Sequence, residues 1–438
     1  MPAPAVISVL ARSFLAGEPA VDDLAARASR TLGRNWKWLR PLARRFVKTF
    51  NGHTRPRHRD VVQFLLTDRG FERARTEYRD ELIVAEWIAE PQRMRPVAAA
   101  REWNLPAIET AGALAQWLGV TDDELEWFAD LKGLGGKLGR PRLEHYSYQI
   151  LHKRGGGVRL LESPKPRLKE LQRQILTAIL DRVPAHIAAH GFVKGRSIAT
   201  FARPHTNQQV LLRLDLSNFF PAFPGARAQA LFRTLGYPEA VAARLAGIAT
   251  NAAPRMVWRG EAPELRALYG WPHLPQGAPT SPALANLMAY RLDCRLAGLA
   301  RCAHAVYTRY ADDLAFSGGE ALARGVERFA AHASAIAMEE GFAVNRRKTR
   351  VMRQGVRQQL AGVVVNRKVG LRRSELEALE ATLTNCVRHG PASQNRSAVP
   401  DFRAHLEGRV GFVEMIDAPK AERLRRLLTA IEWQRREI

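Results

Sequence analysis

The sequence reads as an α+β protein, and three observations predict it. Residues 1–130 carry helical spacing with basic and aromatic clusters. Residues 145–165 alternate as a β-hairpin does, with Tyr146, Tyr148 and Ile150 on one face and a turn at Gly155-Gly156-Gly157. Two further apolar segments, Val210–Asp215 and Val306–Ser317, have strand length and carry acids at an end or a turn.

Composition bounds the answer. The chain has 438 residues, enough for two or three domains, with 46% hydrophobic and 25% charged residues. These values exclude wholesale disorder, collagen and coiled coil. No window holds 18 consecutive apolar residues, so no membrane span is expected. Lys and Arg number 67 against 43 Asp and Glu, a net charge of +24. An excess of this size repels itself unless a polyanion neutralises it, and nucleic acid is the leading partner over a membrane surface. The predominance of Arg over Lys means little, because a genome rich in G and C produces the same bias. The three cysteines, Cys294, Cys302 and Cys386, form no Cys-x-x-Cys pair. Neither a disulfide framework nor a zinc site is expected, and a reducing cytoplasm fits best. Met1–Gly17 has an apolar run without a charged n-region and reads as a helix instead of a signal peptide.

The elements follow in order. Residues 1–100 form a helical, basic extension in which Arg40, Arg44, Arg45 and Lys48 cluster beside Trp36, Trp38 and Phe46. Two readings stay open there: aromatic core anchors under a solvated face, or an RNA-contacting face. Residues 101–140 form a helical leader. Ala113, Leu114, Trp117 and Leu118 share one helix face, and Thr121-Asp-Asp-Glu reads as an N-cap with acids in the first turn. The Gly-rich stretch 132–141 marks a boundary. A third region spans 141–366, and a helical tail follows over 367–438. The Gly-rich turn at 155–157 lacks the spacing of a phosphate-binding loop. Leu168–Leu180 is an amphipathic helix, and Gly408–Glu432 reads as a final helix pair.

The chemistry concentrates in three acids. Asp215 ends the apolar strand Val210–Asp215 and is followed by Phe219-Phe220. Asp312 and Asp313 sit at a tight turn between two strands. Adjacent acids between apolar strands repel, and a divalent cation relieves that repulsion. Carboxylates on neighbouring strands that hold Mg²⁺ with substrate phosphates are the parts of a two-metal phosphoryl-transfer site. The bland reading is an Asp-Asp pair that merely terminates a turn.

The surrounding segments decide between them by resemblance. Leu212-Arg-Leu-Asp-Leu-Ser-Asn-Phe-Phe, Leu274-Pro-Gln-Gly-Ala-Pro-Thr-Ser-Pro, Tyr310-Ala-Asp-Asp, Gly341-Phe-Ala-Val-Asn-Arg-Arg-Lys-Thr and Leu360-Ala-Gly-Val-Val-Val-Asn stand in the order of the reverse transcriptase motifs. His190-Gly-Phe-Val-Lys-Gly-Arg-Ser-Ile and Ser163-Pro-Lys-Pro-Arg-Leu-Lys resemble the bacterial retron branch, and the helices around Trp117 and Trp127 resemble its myxobacterial-type members. Two departures stand out. Phe201-Ala-Arg-Pro-His205 lacks the Asn of the retron Asn-Ala-x-x-His block, and Leu360-Ala-Gly replaces Val-Thr-Gly in the segment Leu360–Asn366, which lies where the family's primer-grip strand is expected.

The resemblance implies a right-hand polymerase fold: fingers, a palm with an antiparallel sheet, and a helical thumb behind the N-terminal extension. It implies an RNA-directed DNA polymerase that copies a structured noncoding RNA into RNA-linked, branched single-stranded DNA within an antiviral retron. Asp215, Asp312, Asp313 and the Leu216 carbonyl would surround two Mg²⁺. Phe220 would exclude a ribose 2′-OH, Gln276 and Gly277 would line the nascent pair, and Arg154, Arg159 and Lys348 would meet the dNTP triphosphate. The stretch Arg346–Arg373 holds ten Lys or Arg and no acid. Within it Arg346, Arg347, Arg350, Arg367, Lys368, Arg372 and Arg373, together with His205, are expected on the template–primer. Arg423, Arg425 and Arg426 are available to an RNA stem. An effector protein is a further expected partner. The rivals are a group II intron maturase, a defence-associated reverse transcriptase without a retron RNA, and a non-catalytic RNA-binding scaffold with a palm fold. The residues after Asn366 carry no cysteine pair or His-Asn-His cluster, which disfavours the maturase, and the intact acid trio disfavours the scaffold.

Overall fold

The computed structural model describes residues 3–17, 19–50, 56–88, 93–134, 144–152, 157–258 and 263–433. The chain divides into two compact units, one of residues 1–134 with 229–248 and one of residues 135–228 with 249–438.

The first unit begins with helices α1 (Ala3–Leu15), α2 (Val21–Thr31), α3 (Leu39–Phe50), α4 (His58–Thr67) and α5 (Arg69–Glu77). Their apolar faces meet in a core that runs from Val6 to Leu82 and includes Phe14, Trp36, Leu39 and Phe46. Phe14 meets Phe46 edge-on at 5.0 Å, and Trp36 lies 4.7 Å from Tyr78. Of the two readings of this aromatic cluster, the packing is that of core anchors. Arg40, Arg44 and Lys48 remain on the exposed face of α3. Asp68 caps α5 by accepting from the Phe71 amide and takes a two-point hydrogen bond from Arg45, so the α4–α5 corner is fixed. Helices α6 (Ala111–Leu118) and α7 (Asp122–Ala129) follow. The Thr121 hydroxyl accepts from the Glu124 amide while Glu124 accepts from the Thr121 amide, a reciprocal cap. The later segment 229–248 joins this unit: Arg244 donates to Glu126 at 2.6 Å, and the Arg95 amide donates to the Gly236 carbonyl.

The second unit carries the strands. β1 (Tyr146–His152) and β2 (Val158–Pro164) pair antiparallel from Tyr146↔Pro164 to His152↔Val158, as the alternation predicts. Residues 153–156, including Arg154, lie outside the described residues. Among the described residues, β3 (Val210–Ser217), β4 (Val306–Tyr310), β5 (Asp313–Gly318), β6 (Ala343–Val344) and β7 (Arg350–Arg353) form one antiparallel sheet. β3 lies between β5 and β7 and is buried along most of its length, which accounts for its largely apolar sequence. Leu211, Leu212, Leu214 and Phe316 are buried, and each contributes about 1.5–3 kcal/mol by leaving water. The helix Glu320–Glu339 packs on β3 and β5, and Tyr290–Cys302 packs on β4.

Three local expectations change. β3 continues two residues beyond Asp215, because Leu216 and Ser217 find partners in β6. The segment from Leu360 is a short hairpin of β8 (Gln359–Leu360) and β9 (Val363–Val364), not one strand. Ala361 and Gly362 both adopt positive φ, 43° and 92°, which turns the chain back. The last helix pair starts earlier than expected, at Phe402: Phe402–Ile416 and Ala418–Thr429 pack with Arg373–His389 around Leu383, Leu406 and Val410. Among the described residues no helix is long and apolar enough to cross a membrane.

Candidate active site

The sheet brings the three acids together. Asp215 on β3 stands opposite Asp313, the first residue of β5, and Asp312 occupies the turn before it. Ala311 opens that turn at φ 53°, a strained conformation that persists only when its surroundings hold it. The Leu216 amide donates to the Asp312 carbonyl at 2.9 Å. From beneath, the fully buried Arg309 guanidinium grips both Asp293 oxygens at 2.7 and 2.6 Å and donates to Asn286 Oδ1. It also reaches the Ala311 carbonyl at 3.3 Å. Tyr307 donates to the same Asp293 carboxylate. A charge buried without such partners would cost several kcal/mol, so this pair and its hydrogen bonds form one rigid support. Sequence reasoning missed Arg309, Asp293 and Asn286. The signal was present in β4, where Arg309 is the one charged residue of the buried strand Val306-Tyr-Thr-Arg-Tyr310.

The electrostatics follow from burial. Burial first, and then the charges of Asp313 and Asp215, push the Asp312 carboxyl up to about 6. Burial also raises Asp313, although Arg213 opposes the shift by donating twice to Asp313 Oδ1, at 2.8 and 2.6 Å. Lys348 Nζ donates to Asp215 Oδ1 at 2.9 Å. Each outer acid is thus turned onto a cation of the protein. Among the described residues no three Asp, Glu, His or Cys side chains converge on one ion-binding point. The donor set nevertheless fits a hard divalent cation. It is all oxygen, Asp215 is buried and Asp312 and Asp313 are half-buried, and burial with the two neighbouring acids keeps Asp312 from ionising readily. Arg213 and Lys348 would have to yield their acids to such an ion.

Phe219 and Phe220 differ in burial. Phe219 is buried among Phe223, Phe342 and the Arg309 guanidinium. Phe220 is only half-buried and faces Phe192. Gln276 is half-buried and Gly277 exposed. Gly277 adopts φ 136°, and a Cβ there would meet the Glu162 carbonyl at 2.8 Å, so only glycine fits. The loop and the β1–β2 hairpin are joined: the Glu162 amide donates to the Gln276 carbonyl at 2.9 Å. The buried Glu162 carboxylate takes His273 Nε2 and Asn251 Nδ2, each at 2.8 Å. Arg159 is exposed on β2.

Arg346, Arg347, Arg350, Arg367, Lys368 and Arg373 are exposed. Arg350 folds onto the Arg347 and Thr349 carbonyls, and Arg373 pairs with Glu377. Arg372 is half-buried and donates to Gln359. Arg423, Arg425 and Arg426 are engaged by Glu380, Glu414 and Glu422. His205 requires a correction. It is completely buried, with Nδ1 2.7 Å from the Ser317 hydroxyl and Nε2 2.7 Å from the Thr308 hydroxyl. It therefore ties β4 to β5 and offers nothing to a nucleic acid.

Comparison with known proteins agrees with this geometry. The reverse transcriptase (RNA-dependent DNA polymerase) family matches residues 151–377. The chain is 43% identical to the retron Mx65 reverse transcriptase of Myxococcus xanthus, covering 75% of this chain and 73% of that one. It is 35% identical to the retron Mx162 enzyme of the same organism, over 76% and 69%. To the retron Ec86 reverse transcriptase of Escherichia coli it is 29% identical, over 63% and 77%. Polymerases of this family use divalent metal ions and act on RNA and DNA. A carboxylate trio on a palm-like sheet, inside a matched span of this length and beside relatives of this kind, identifies the chain as an RNA-directed DNA polymerase belonging to the retron reverse transcriptases.

Proposed function

We propose that this polymerase copies a structured noncoding RNA into single-stranded DNA that stays joined to the RNA through a branch, and that it serves an antiviral retron with an effector protein as partner. The observation that carries this reading is the retron kinship over three quarters of the chain. The acid-free basic run 346–373 beside the palm supports it, because cations tracking phosphates position a template–primer. Asp215, Asp312, Asp313 and the Leu216 carbonyl are the proposed ligands of two Mg²⁺. When bound, these ions lower the pKa of the primer hydroxyl and neutralise the triphosphate. The chain's own residues orient the reactants. Arg159 and Arg154 contact the triphosphate, Lys348 leaves Asp215 to face it, Gln276 and Gly277 support the nascent pair, and Phe220 walls off a 2′-OH. The division at residues 100, 140 and 366 assigns the extension, leader, fingers with palm, and thumb to separate tasks.

The test is to express the protein with the structured RNA encoded beside it and extract nucleic acid. DNA whose gel mobility increases after RNase treatment, while a short RNA stub stays attached, is expected. DNA free of RNA, or equal binding to an unrelated structured RNA of the same length, would favour a general template-copying enzyme.

A further inference from the structure

The segment Ile187–Arg196 is pinned more heavily than a surface loop needs. The His190 amide donates to the Arg309 carbonyl at 2.7 Å. Asn286 Nδ2 donates to the Gly191 carbonyl at 2.8 Å. Arg196 donates to the Ile187 and Ala189 carbonyls. A Cβ on Gly191 would stand 2.7 Å from the Ala311 amide, so this segment lies directly on the catalytic turn. Within it Phe192 adopts φ 60°, a region that glycine or asparagine enters comfortably and phenylalanine does not. The residue is 52% exposed, beside the turn that carries Asp312. Strain and an exposed aromatic together need a reason beyond folding.

The ring's neighbours supply it. Phe192 lies 6.1 Å from Phe220 and 6.4 Å from Tyr310, centroid to centroid, both within the range of favourable aromatic pairing. Phe220 also touches Phe219, which is fixed in the core. The half-buried Phe220 ring is therefore held between a rigid ring and one presented by the strained segment. We propose that Phe192 is a specificity-determining positioning residue: it braces Phe220 and so sets how closely the pocket wall approaches the sugar of an incoming nucleotide. The proposal rests on Phe220 acting as the sugar gate. With the brace removed, Phe220 rotates toward the space Phe192 leaves, and a ribose 2′-OH is admitted.

Phe192→Gly is the informative variant, because it removes the ring and relieves the positive φ, so the fold is retained or stabilised. Phe192→Leu keeps a branched apolar group as a second probe. Incorporation of one ribonucleotide and the matching deoxyribonucleotide is measured on one primed template for wild type, Phe192→Gly, Phe192→Leu and Phe220→Ala, with melting temperatures alongside. The expected result is a discrimination ratio that falls at least about tenfold in Phe192→Gly, less in Phe192→Leu and most in Phe220→Ala. The gain should arise from a lower ribonucleotide KM, with deoxyribonucleotide kcat little changed. A lowered ratio in Phe220→Ala with an unchanged ratio in Phe192→Gly would overturn the brace while leaving the gate. Unchanged ratios in both would overturn the gate reading and the brace with it. An equal loss of both nucleotides in Phe192→Gly would show that the ring serves the template or the fold, and would also overturn the proposal.

Discussion

Replacing His205 with glutamine should weaken the protein at neutral pH and strengthen it, relative to wild type, in acid. The imidazole is buried between the Ser317 and Thr308 hydroxyls, with no carboxylate to receive a charge. Burial, with a smaller contribution from His190, pushes its pKa from 6.5 down to about 3. The folded protein therefore refuses a proton that the unfolded chain accepts between those values. The contribution to stability is complete above pH 6.5 and is lost as the pH falls toward 3. Each unit corresponds to about 1.4 kcal/mol, so the whole window spans about 5 kcal/mol as an upper bound. Glutamine does not titrate. Its imperfect fit to two hydroxyls should cost about 1–3 kcal/mol at every pH. The two stability curves should then converge below pH 6.5 and cross near pH 5, about 1.5 units below the unfolded value. Paired urea melts at half-unit steps from pH 4.5 to 8, with chelator present, read this directly. Parallel curves would refute the buried-neutral assignment. A loss of RNA affinity with unchanged stability would restore His205 to the nucleic-acid surface.

Other expectations follow from the site and the first unit. Asp312→Asn should reduce DNA synthesis below about 1% of wild type, a loss of roughly 2.7 kcal/mol of transition-state stabilisation. Because the raised pKa means that ionised Asp312 costs stability above pH 6, the same change should stabilise the metal-free protein at pH 8 by up to about 3 kcal/mol. That gain should vanish toward pH 4, as paired melts in chelator would show; equal stabilities at pH 8 would contradict the crowded-acid account. Gly277→Ala should raise the KM for dNTPs at least about tenfold, since its Cβ would press on the Glu162 carbonyl; unchanged steady-state kinetics would refute that. Removing residues 1–88, whose helices share a core of their own, should spare synthesis on a simple primed template and weaken binding of the cognate RNA. A uniform loss of melting temperature, rate and RNA affinity would mean that the extension merely braces the rest.

The acids were legible because two independent signals converge on them: strand-length apolar runs that end or turn at Asp, and ordered motifs around those runs. The hairpin 145–165 was legible from its alternation, and the reciprocal cap at Thr121 from four consecutive residues. What stayed hidden depends on partners distant in sequence. His205 looked like a contact residue, because nothing in Phe201-Ala-Arg-Pro-His205 says that β4 and β5 will enclose it. Arg213 and Arg309 passed as strand residues, yet one pairs with Asp313 and the other supports the Ala311–Asp312 turn. The break at Ala361-Gly362 was missed because the resemblance puts a single grip strand over Leu360–Asn366, whereas two positive φ values decide the turn.

The junction at Glu162 has a mechanical meaning. A backbone hydrogen bond to Gln276, and a buried carboxylate held by His273 and Asn251, weld the β1–β2 hairpin to the segment 273–277. Arg159 rides on one arm of this lever and Gln276 on the other. A tilt of the hairpin therefore carries both, so the roles proposed for them, Arg159 on the triphosphate and Gln276 along the nascent pair, cannot be tuned apart. A substitution that loosens the weld should cost speed and accuracy in proportion, whereas one confined to the Arg159 side chain should cost speed alone.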